Sequence, residues 1–573
     1  MKKLMIGNEA VAAGALDAGV RLISSYPGTP STEITEFAAK SRELHVEWAP
    51  NEKVAAETAI GAAIGGARAL CAMKHVGLNV AADPLYTAAY TGVRGGMVAV
   101  VADDPGMHSS QNEQDSRCHA IGAHLPMLEP SNSQECYDYT RLAFEISERF
   151  DVPVLLRLTT RIAHSQSLVE TRPAVRPEII KYEKKTDKYV MMPMQARGRH
   201  LEVEKRDNAL SLRINRQGLD RQELSGELGV ICSGAVYEYV KEALPEASVL
   251  KIGMVNPLSA EELKDFAGRV KRLIVAEELE PVIENKVRAL GIECQGKELF
   301  TLQGEYSANL IRERVLGQKA EFEPAAALPP RPPVLCPGCP HRSVFYVLKQ
   351  MKLTVCGDIG CYTLGANAPL NAIDTCVCMG ASIGVAHGME RSGAVDSSRT
   401  VAVIGDSTFI HSGITGLINV VYNGGASTVI ILDNSITGMT GHQQNPATGK
   451  DIRGDAAPKL DLYKLCEAVG VRDIKVIDAR DMAAMKAGIN DSLNRPEPSV
   501  IIAQWPCALL SKEKKQPYTV SEKCIGCKKC MSIGCPAVQF KDGHAWIDYS
   551  LCVGCGQCAL VCPVNAIVPG GKE

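Results

Sequence analysis

The sequence predicts an α/β multidomain protein of doubly wound parallel sheets, closed by a small α+β domain rich in cysteine. Three observations predict it. Short, continuous apolar runs of the kind buried on both faces of a sheet alternate with helix-length stretches. The helical stretches are rich in Ala and Gly, small enough to let a helix lie close against a sheet. Eight of the 21 cysteines crowd between Cys524 and Cys562. At 573 residues the chain is too long for one core, and about three to five domains are expected.

Residues 1–165 form the first block, with strands expected at 95–104 and 151–160 and helices at 9–19 and 52–70. From 166 to 225 the chain turns charged and irregular, as a connecting segment or small subdomain would. A second α/β block covers 226–324, where LGVICSG, SVLKIGM and KRLIVAEE read as strands. Consecutive prolines in AALPPRPPV forbid both helix and central strand, so 325–334 reads as a linker. The third α/β block, 335–512, has strands expected at 400–406, 427–434 and 499–505, and residues 513–573 make the tail.

Composition excludes several classes. The net charge of −3 gives no electrostatic footprint for nucleic acid. No run of about 18 uncharged apolar residues occurs, so no membrane span is expected. The N-terminus lacks the apolar stretch of a secretory signal. Twenty-one cysteines without such a signal do not read as a disulfide framework. Thiols at this density suit a reducing cytoplasm, and the chain is expected there.

The tail carries the sharpest motif. Its first unit reads Cys524-x2-Cys527-x2-Cys530-x4-Cys535-Pro536 and its second Cys552-x2-Cys555-x2-Cys558-x3-Cys562-Pro563. Three closely spaced thiolates can hold three corners of an iron–sulfur cube, while the cysteine before proline serves the cube of the other unit. One [4Fe–4S] cluster is therefore expected on Cys524, Cys527, Cys530 and Cys562, and a second on Cys552, Cys555, Cys558 and Cys535. Zinc also uses C-x2-C pairs, but two such pairs suffice for it, and two triple runs each closed by Cys-Pro fit it poorly. The tail resembles the two-cluster bacterial ferredoxins.

Upstream, Gly405-Asp406-Ser407 closes one expected strand and Asp433-Asn434 closes the next, 28 residues on. A carboxylate and an amide oxygen at neighbouring strand ends can hold Mg²⁺ where a diphosphate arrives, although strand-end Asp and Asn also serve as ordinary turn and cap residues. The spacing and flanks resemble the thiamin diphosphate motif. That resemblance implies Asp406, Asn434 and the backbone oxygen of Ile436 as Mg²⁺ ligands, with Gly405 and Ser407 beside the cofactor. Ser407 and Asp433 depart from the usual Gly and Asn. The other half of such a site resembles Pro50-Asn51-Glu52-Lys53, where Glu52 would hydrogen-bond the aminopyrimidine ring. Glu57 is the alternative carboxylate, and an exposed first-turn helix residue is the plain reading of Glu52.

Ser25-Tyr26-Pro27-Gly28-Thr29-Pro30 resembles the substrate loop of the 2-oxoacid:ferredoxin oxidoreductases, with Thr29 at the position that contacts the substrate. Cys336-Pro-Gly-Cys339-Pro-His341-Arg342 and Gly357-Asp358-Ile359-Gly360-Cys361 resemble the start of that family's diphosphate domain, which adds His341 to the cofactor-binding positions. The order of blocks is similar to the large subunit of the indolepyruvate branch of the family. The resemblance implies a pyrimidine domain, a transketolase-C-like domain, a diphosphate domain and a ferredoxin domain. It also implies CoA-dependent oxidative decarboxylation of an aryl-pyruvate to an arylacetyl-CoA, electron delivery to an external ferredoxin, and a smaller β subunit in an α2β2 assembly. A third cluster on Cys336, Cys339, Cys361 and Cys507 is also implied, with buried apolar thiols as the alternative reading of these cysteines. His75, His108, Arg117, His341 and His442 are possible carboxylate contacts, each as readily a structural hydrogen-bonding residue. A non-oxidative decarboxylase of the same cofactor and an electron-transfer scaffold without catalysis are the competing readings.

Overall fold

The strands form where β-branched and other apolar residues run without interruption. Met97–Asp103 is buried along its whole length, as are its neighbours Ala69–Lys74 and Val154–Thr159. A computed structural model describes residues 2–216, 218–319, 329, 332–511 and 515–570. The expected linker at 325–334 lies outside the described residues except for 329 and 332–334. The chain divides into two units, Met1–Ala326 and Ala327–Glu573.

The first unit is built on a seven-stranded sheet in the order Met254–Asn256, Met127–Leu128, Val154–Thr159, Met97–Asp103, Ala69–Lys74, Leu22–Ser25, His45–Trp48. All pairings are parallel except the outermost, where Met254–Asn256 runs antiparallel. The helix Gly7–Asp17 packs on Ser133–Phe150 so closely that a Cβ on Gly14 would stand 2.6 Å from the Tyr137 carbonyl. A second sheet runs Arg272–Ala276, Leu228–Ser233, Ser248–Ile252, Arg221–Glu223, the last strand antiparallel.

Two buried arginines bind the ends of these strands. Arg157 donates to Asp103 at 2.7 Å and to Glu129 at 2.5 Å. Arg117 pairs with Asp115 and Glu277, each at 2.6 Å, and donates to the carbonyls of Glu278 and Glu280. Each guanidinium meets carboxylates of its own unit, the arrangement that makes a buried charge tolerable.

The stretch expected to be irregular departs from that reading. Gln166–Glu170 pairs antiparallel with Lys2–Ile6, and Pro193–Ser211 is a helix of 19 residues. That helix buries Val203 and Leu210 and adds polar tethers: Arg199 Nε donates to the Tyr90 carbonyl at 2.6 Å and Arg206 to that of Ala89 at 3.1 Å.

The second unit holds a five-stranded, wholly parallel sheet in the order Thr354–Cys356, Thr400–Gly405, Thr428–Asp433, Ser499–Gln504, Asp473–Asp478. Alternate residues of its strands feed two cores. Val401, Val403, Ile430 and Leu432 pack with Phe345, Leu348, Met485 and Ile489, while Ala402, Ile404, Val429 and Ile431 pack with Ile383, Leu417 and Val420. Helices thus cover both faces, the doubly wound arrangement expected from continuous apolar runs. The tail adds two two-stranded antiparallel sheets, Tyr518–Val520 with Ile567–Pro569 and Val538–Lys541 with His544–Ile547. Its small core is drawn from Cys530, Ile533, Val538, Ala545, Ile547, Cys558 and Ile567.

Candidate active site

Parallel strands deliver their carboxyl ends to one edge of the sheet, and Asp406 and Asn434 follow two adjacent strands there. Asp406 is buried. Its Oδ1 accepts the Ser407 amide at 2.8 Å, while Oδ2 accepts no hydrogen bond among the described residues. Burial, reinforced by the charge of Asp433, pushes its carboxyl up to about 8. A carboxylate held dry, short of one partner and next to a second carboxylate is stabilised as an anion by a cation, so the site fits a divalent ion. Asp433 is already satisfied, by the Ser435 amide at 2.9 Å and Gln504 Nε2 at 2.7 Å. Ser435 sits in the left-handed region (φ 58°) and turns the chain beyond the strand, ahead of buried Ile436. Directly after Asp406 the helix passes through a π turn, Phe409–Gly413, of the kind often found at functional sites.

Asp358 organises the adjoining loop. Its carboxylate accepts the amides of Ile359 at 2.8 Å, Gly380 at 2.7 Å and Ser382 at 2.9 Å. Tyr362 lies against the strand end so tightly that a Cβ on Gly405 would stand 2.6 Å from its ring. His341 opens the helix His341–Met351, edge-on to Tyr362 at 6.0 Å between centroids. Burial pulls the imidazole down to about 4, so it is neutral at physiological pH. Ser407 is buried beside Asp406.

The cysteines gather in three groups. One cavity is walled by Cys524, Cys527, Cys530 and Cys562, and another by Cys535, Cys552, Cys555 and Cys558. The Ala566 amide points at Cys562 Sγ, 3.2 Å away, and the Tyr518 amide at Cys552 Sγ, 3.4 Å away. The third group is Cys336, Cys339, Cys361 and Cys507. Burial pushes Cys339 up to about 12 and Cys361 up to about 11, and in both cases the charge of other members of the group adds to the rise. The Cys507 amide donates to the Asn434 carbonyl at 3.0 Å, joining this group to the strand end. Among the described residues, no three His, Cys, Asp or Glu side chains converge as ligands of a single metal ion would.

Glu52 and Thr29 belong to the first unit. Glu52 is the first residue of the helix Glu52–Ile64, capped by Asn51, whose side chain accepts the Val54 amide at 2.9 Å. The carboxylate is buried and lies over Gly77, where a Cβ would come within 2.6 Å of it. Glu57, on the same helix, makes an exposed pair with Lys53. Thr29 stands in the loop after strand Leu22–Ser25, and its carbonyl is 3.4 Å from Ser109 Oγ. Lys74, at the end of the neighbouring strand, donates to the Ser109 carbonyl at 2.6 Å. Of the other polar candidates, Arg117 is consumed by its carboxylates, His108 pairs with Glu305 at 3.0 Å, and His75 is buried after Lys74. His442 lies in the loop past Asn434 at φ 69°. The sequence reading missed Lys74, Asp358 and Gln557. Asp358 was visible only as a member of its motif, and the other two have no local signal.

Family models agree with this layout. Residues 13–219 match the thiamin diphosphate-binding domain of the pyruvate flavodoxin/ferredoxin oxidoreductases, and 358–503 match the C-terminal thiamine pyrophosphate-binding domain. Residues 521–538 and 545–568 match 4Fe–4S binding domains. Indolepyruvate oxidoreductase subunit IorA of Archaeoglobus fulgidus is 40% identical over 99% of this chain and 97% of its own length. The chain belongs to the IorA family. Members from Methanothermobacter thermautotrophicus and Thermococcus kodakarensis are 39% and 37% identical, over 100% and 99% of this chain and 98% and 97% of their own lengths. As an IorA-family chain it binds thiamin diphosphate and [4Fe–4S] clusters. No helix among its described residues is long and apolar enough to cross a membrane.

Proposed function

We propose that this chain is the large, catalytic subunit of a cytoplasmic oxidoreductase acting on aryl-pyruvates, with indolepyruvate as the reference substrate. The substrate loses carbon dioxide, coenzyme A takes the acyl group as an arylacetyl thioester, and two electrons leave singly for an external ferredoxin. A smaller β subunit completes the enzyme in an α2β2 assembly. Thiamin diphosphate supplies the carbon nucleophile and electron sink, and the clusters accept electrons one at a time.

The observation that carries the reading is the hydrogen bond from the Cys507 amide to the Asn434 carbonyl. It joins the strand end suited to a metal–diphosphate group directly to the upstream cysteines. A non-oxidative decarboxylase has no use for such a junction. Asp406 and Asn434, with the Ile436 carbonyl, would hold Mg²⁺, and Gly405, Ser407 and neutral His341 would line the diphosphate. Buried Glu52 would keep a proton shared with a ring nitrogen of the cofactor, a task for a carboxylate in a dry pocket. Thr29 would orient the substrate's oxygens. Cys524, Cys527, Cys530 and Cys562 would hold one cluster and Cys535, Cys552, Cys555 and Cys558 another. Cys336, Cys339, Cys361 and Cys507 would hold a third.

The test is an anaerobic assay of the chain with its partner subunit, indolepyruvate, coenzyme A and a viologen dye. Dye reduction that depends on coenzyme A is expected. Its absence from iron-replete protein, with aldehyde formed instead, would overturn the proposal.

A further inference from the structure

Arg342 is 1% exposed, yet among the described residues it hydrogen-bonds to no carboxylate. On one side its guanidinium donates to the carbonyls of Leu335 and Cys336, the latter at 3.2 Å. On the other it donates to Ile533, at 3.3 Å, and to Gly534, the residue before Cys535. Gln557, 2% exposed, makes the same crossing from the turn between Cys555 and Cys558. Its Nε2 donates to the carbonyls of Cys339 at 3.1 Å and Gly338 at 3.4 Å. These two side chains stitch the Cys336–Cys339 loop to the second cavity of the tail, and Arg342 itself lines that cavity.

A guanidinium does not give up its proton in a protein, and a buried charge facing only neutral carbonyls is costly. After burial itself, the groups acting most on Arg342 are Cys535, Cys339, Cys336 and Cys555, two from each side of the junction. Iron–sulfur clusters bound by thiolates carry net negative charge, and charge beside a cluster sets its potential. We propose that Arg342 is a positioning residue of the electron path: its fixed charge stabilises an added electron on the cluster of Cys535, Cys552, Cys555 and Cys558 and on the upstream group, raising both reduction potentials. The inference rests on the reading of these cysteines as cluster ligands. Each electron comes from the oxidised 2-oxoacid and leaves for the external ferredoxin, and Arg342 keeps its proton throughout.

The test is a redox titration monitored by electron paramagnetic resonance on the anaerobically purified complex, as wild type, Arg342→Gln and Arg342→Lys, with iron and acid-labile sulfide counted in each. In iron-replete Arg342→Gln, the reduced-to-oxidised ratio of the Cys535-side cluster at fixed potential should fall about tenfold, or about 59 mV for a one-electron couple. Arg342→Lys keeps the charge but loses the fork, and should hold the wild-type ratio to within about threefold. Unchanged potentials in Arg342→Gln would overturn the proposal. If that variant loses iron, Arg342→Lys decides: a held ratio supports the role of charge, and a tenfold fall overturns it. A wild type with about eight irons per chain rather than about twelve overturns the upstream-cluster reading and with it that half of the proposal. The Cys535-side shift then decides the other half.

Discussion

Arg117 and Arg342 are both fully buried arginines, in different units, and they are treated in opposite ways. Arg117 is closed off by Asp115 and Glu277, and Arg157 beside it by Asp103 and Glu129. Among the described residues, Arg342 finds backbone carbonyls and cysteines. The carboxylates divide the same way. Asp115 has two guanidiniums, whereas Asp406 has an orphaned oxygen and a like charge for company. Where the chain supplies its own counter-charge, the buried ion is structural. Where it does not, a group from outside the polypeptide can supply the missing charge.

The comparison can be broken most severely at Asp406. Asp406→Ala should abolish coenzyme A-dependent dye reduction. It should also remove the rise in melting temperature that Mg²⁺ plus thiamin diphosphate gives the wild type, a stabilisation of about 2.7 kcal/mol at a hundredfold excess over Kd. A variant that still melts later on adding the cofactor would show that Asp406 is no ligand. Arg117→Met should instead cost about 3–5 kcal/mol of stability by taking the guanidinium from buried Glu277 and leaving Asp115 with Arg157 alone, read by denaturant unfolding. A loss under about 1 kcal/mol would break the contrast.

Acid and base should then move the two carboxylates in opposite directions. Burial opposes the ionisation of Asp115, but Arg117 and Arg157 outweigh it and hold the carboxyl at about 2, below the ordinary 3.8. Its stabilising contribution is present above about pH 4 and is lost as the pH falls through 2. Asp406, raised to about 8 by burial and then by Asp433, behaves conversely. In metal-free protein its contribution is present below about pH 4 and is lost as the pH rises towards 8. Comparing unfolding of metal-free wild type and Asp406→Asn across that range checks the sign, and a parallel pair of profiles would refute it. The smallest effect belongs to Glu57. Glu57→Gln should leave turnover and melting unchanged because its pair with Lys53 is exposed, whereas Glu52→Gln, five residues earlier on the same helix, should lower turnover by about 10²–10⁴-fold.

The sheets were legible because strands such as Thr400–Gly405 and Met97–Asp103 are buried on both faces and so are continuously apolar. The tail's cysteine groups were legible because their spacing is local. Pro193–Ser211 was not, since a helix that buries Val203, Arg206 and Leu210 amid charged neighbours leaves too sparse an apolar period to read. Nor could sequence bring Cys336, Cys339, Cys361 and Cys507 together, because that meeting depends on neighbouring strands and the loops beyond them. Arg342 lay in plain sight within its motif, but its isolation from any carboxylate is a property of the folded chain alone.

The tail's two-stranded sheets carry a consequence for how the protein is made. A two-stranded sheet is marginal in water by itself, and the small core here counts Cys530 and Cys558 among its members. Each cavity also takes its fourth cysteine from the other loop: Cys562 lines the first and Cys535 the second. Metal binding and folding are coupled in such domains, so neither loop can be finished alone. The order of the tail would therefore depend on cluster assembly in a way that the five-stranded sheet upstream, whose two cores are built from side chains alone, does not.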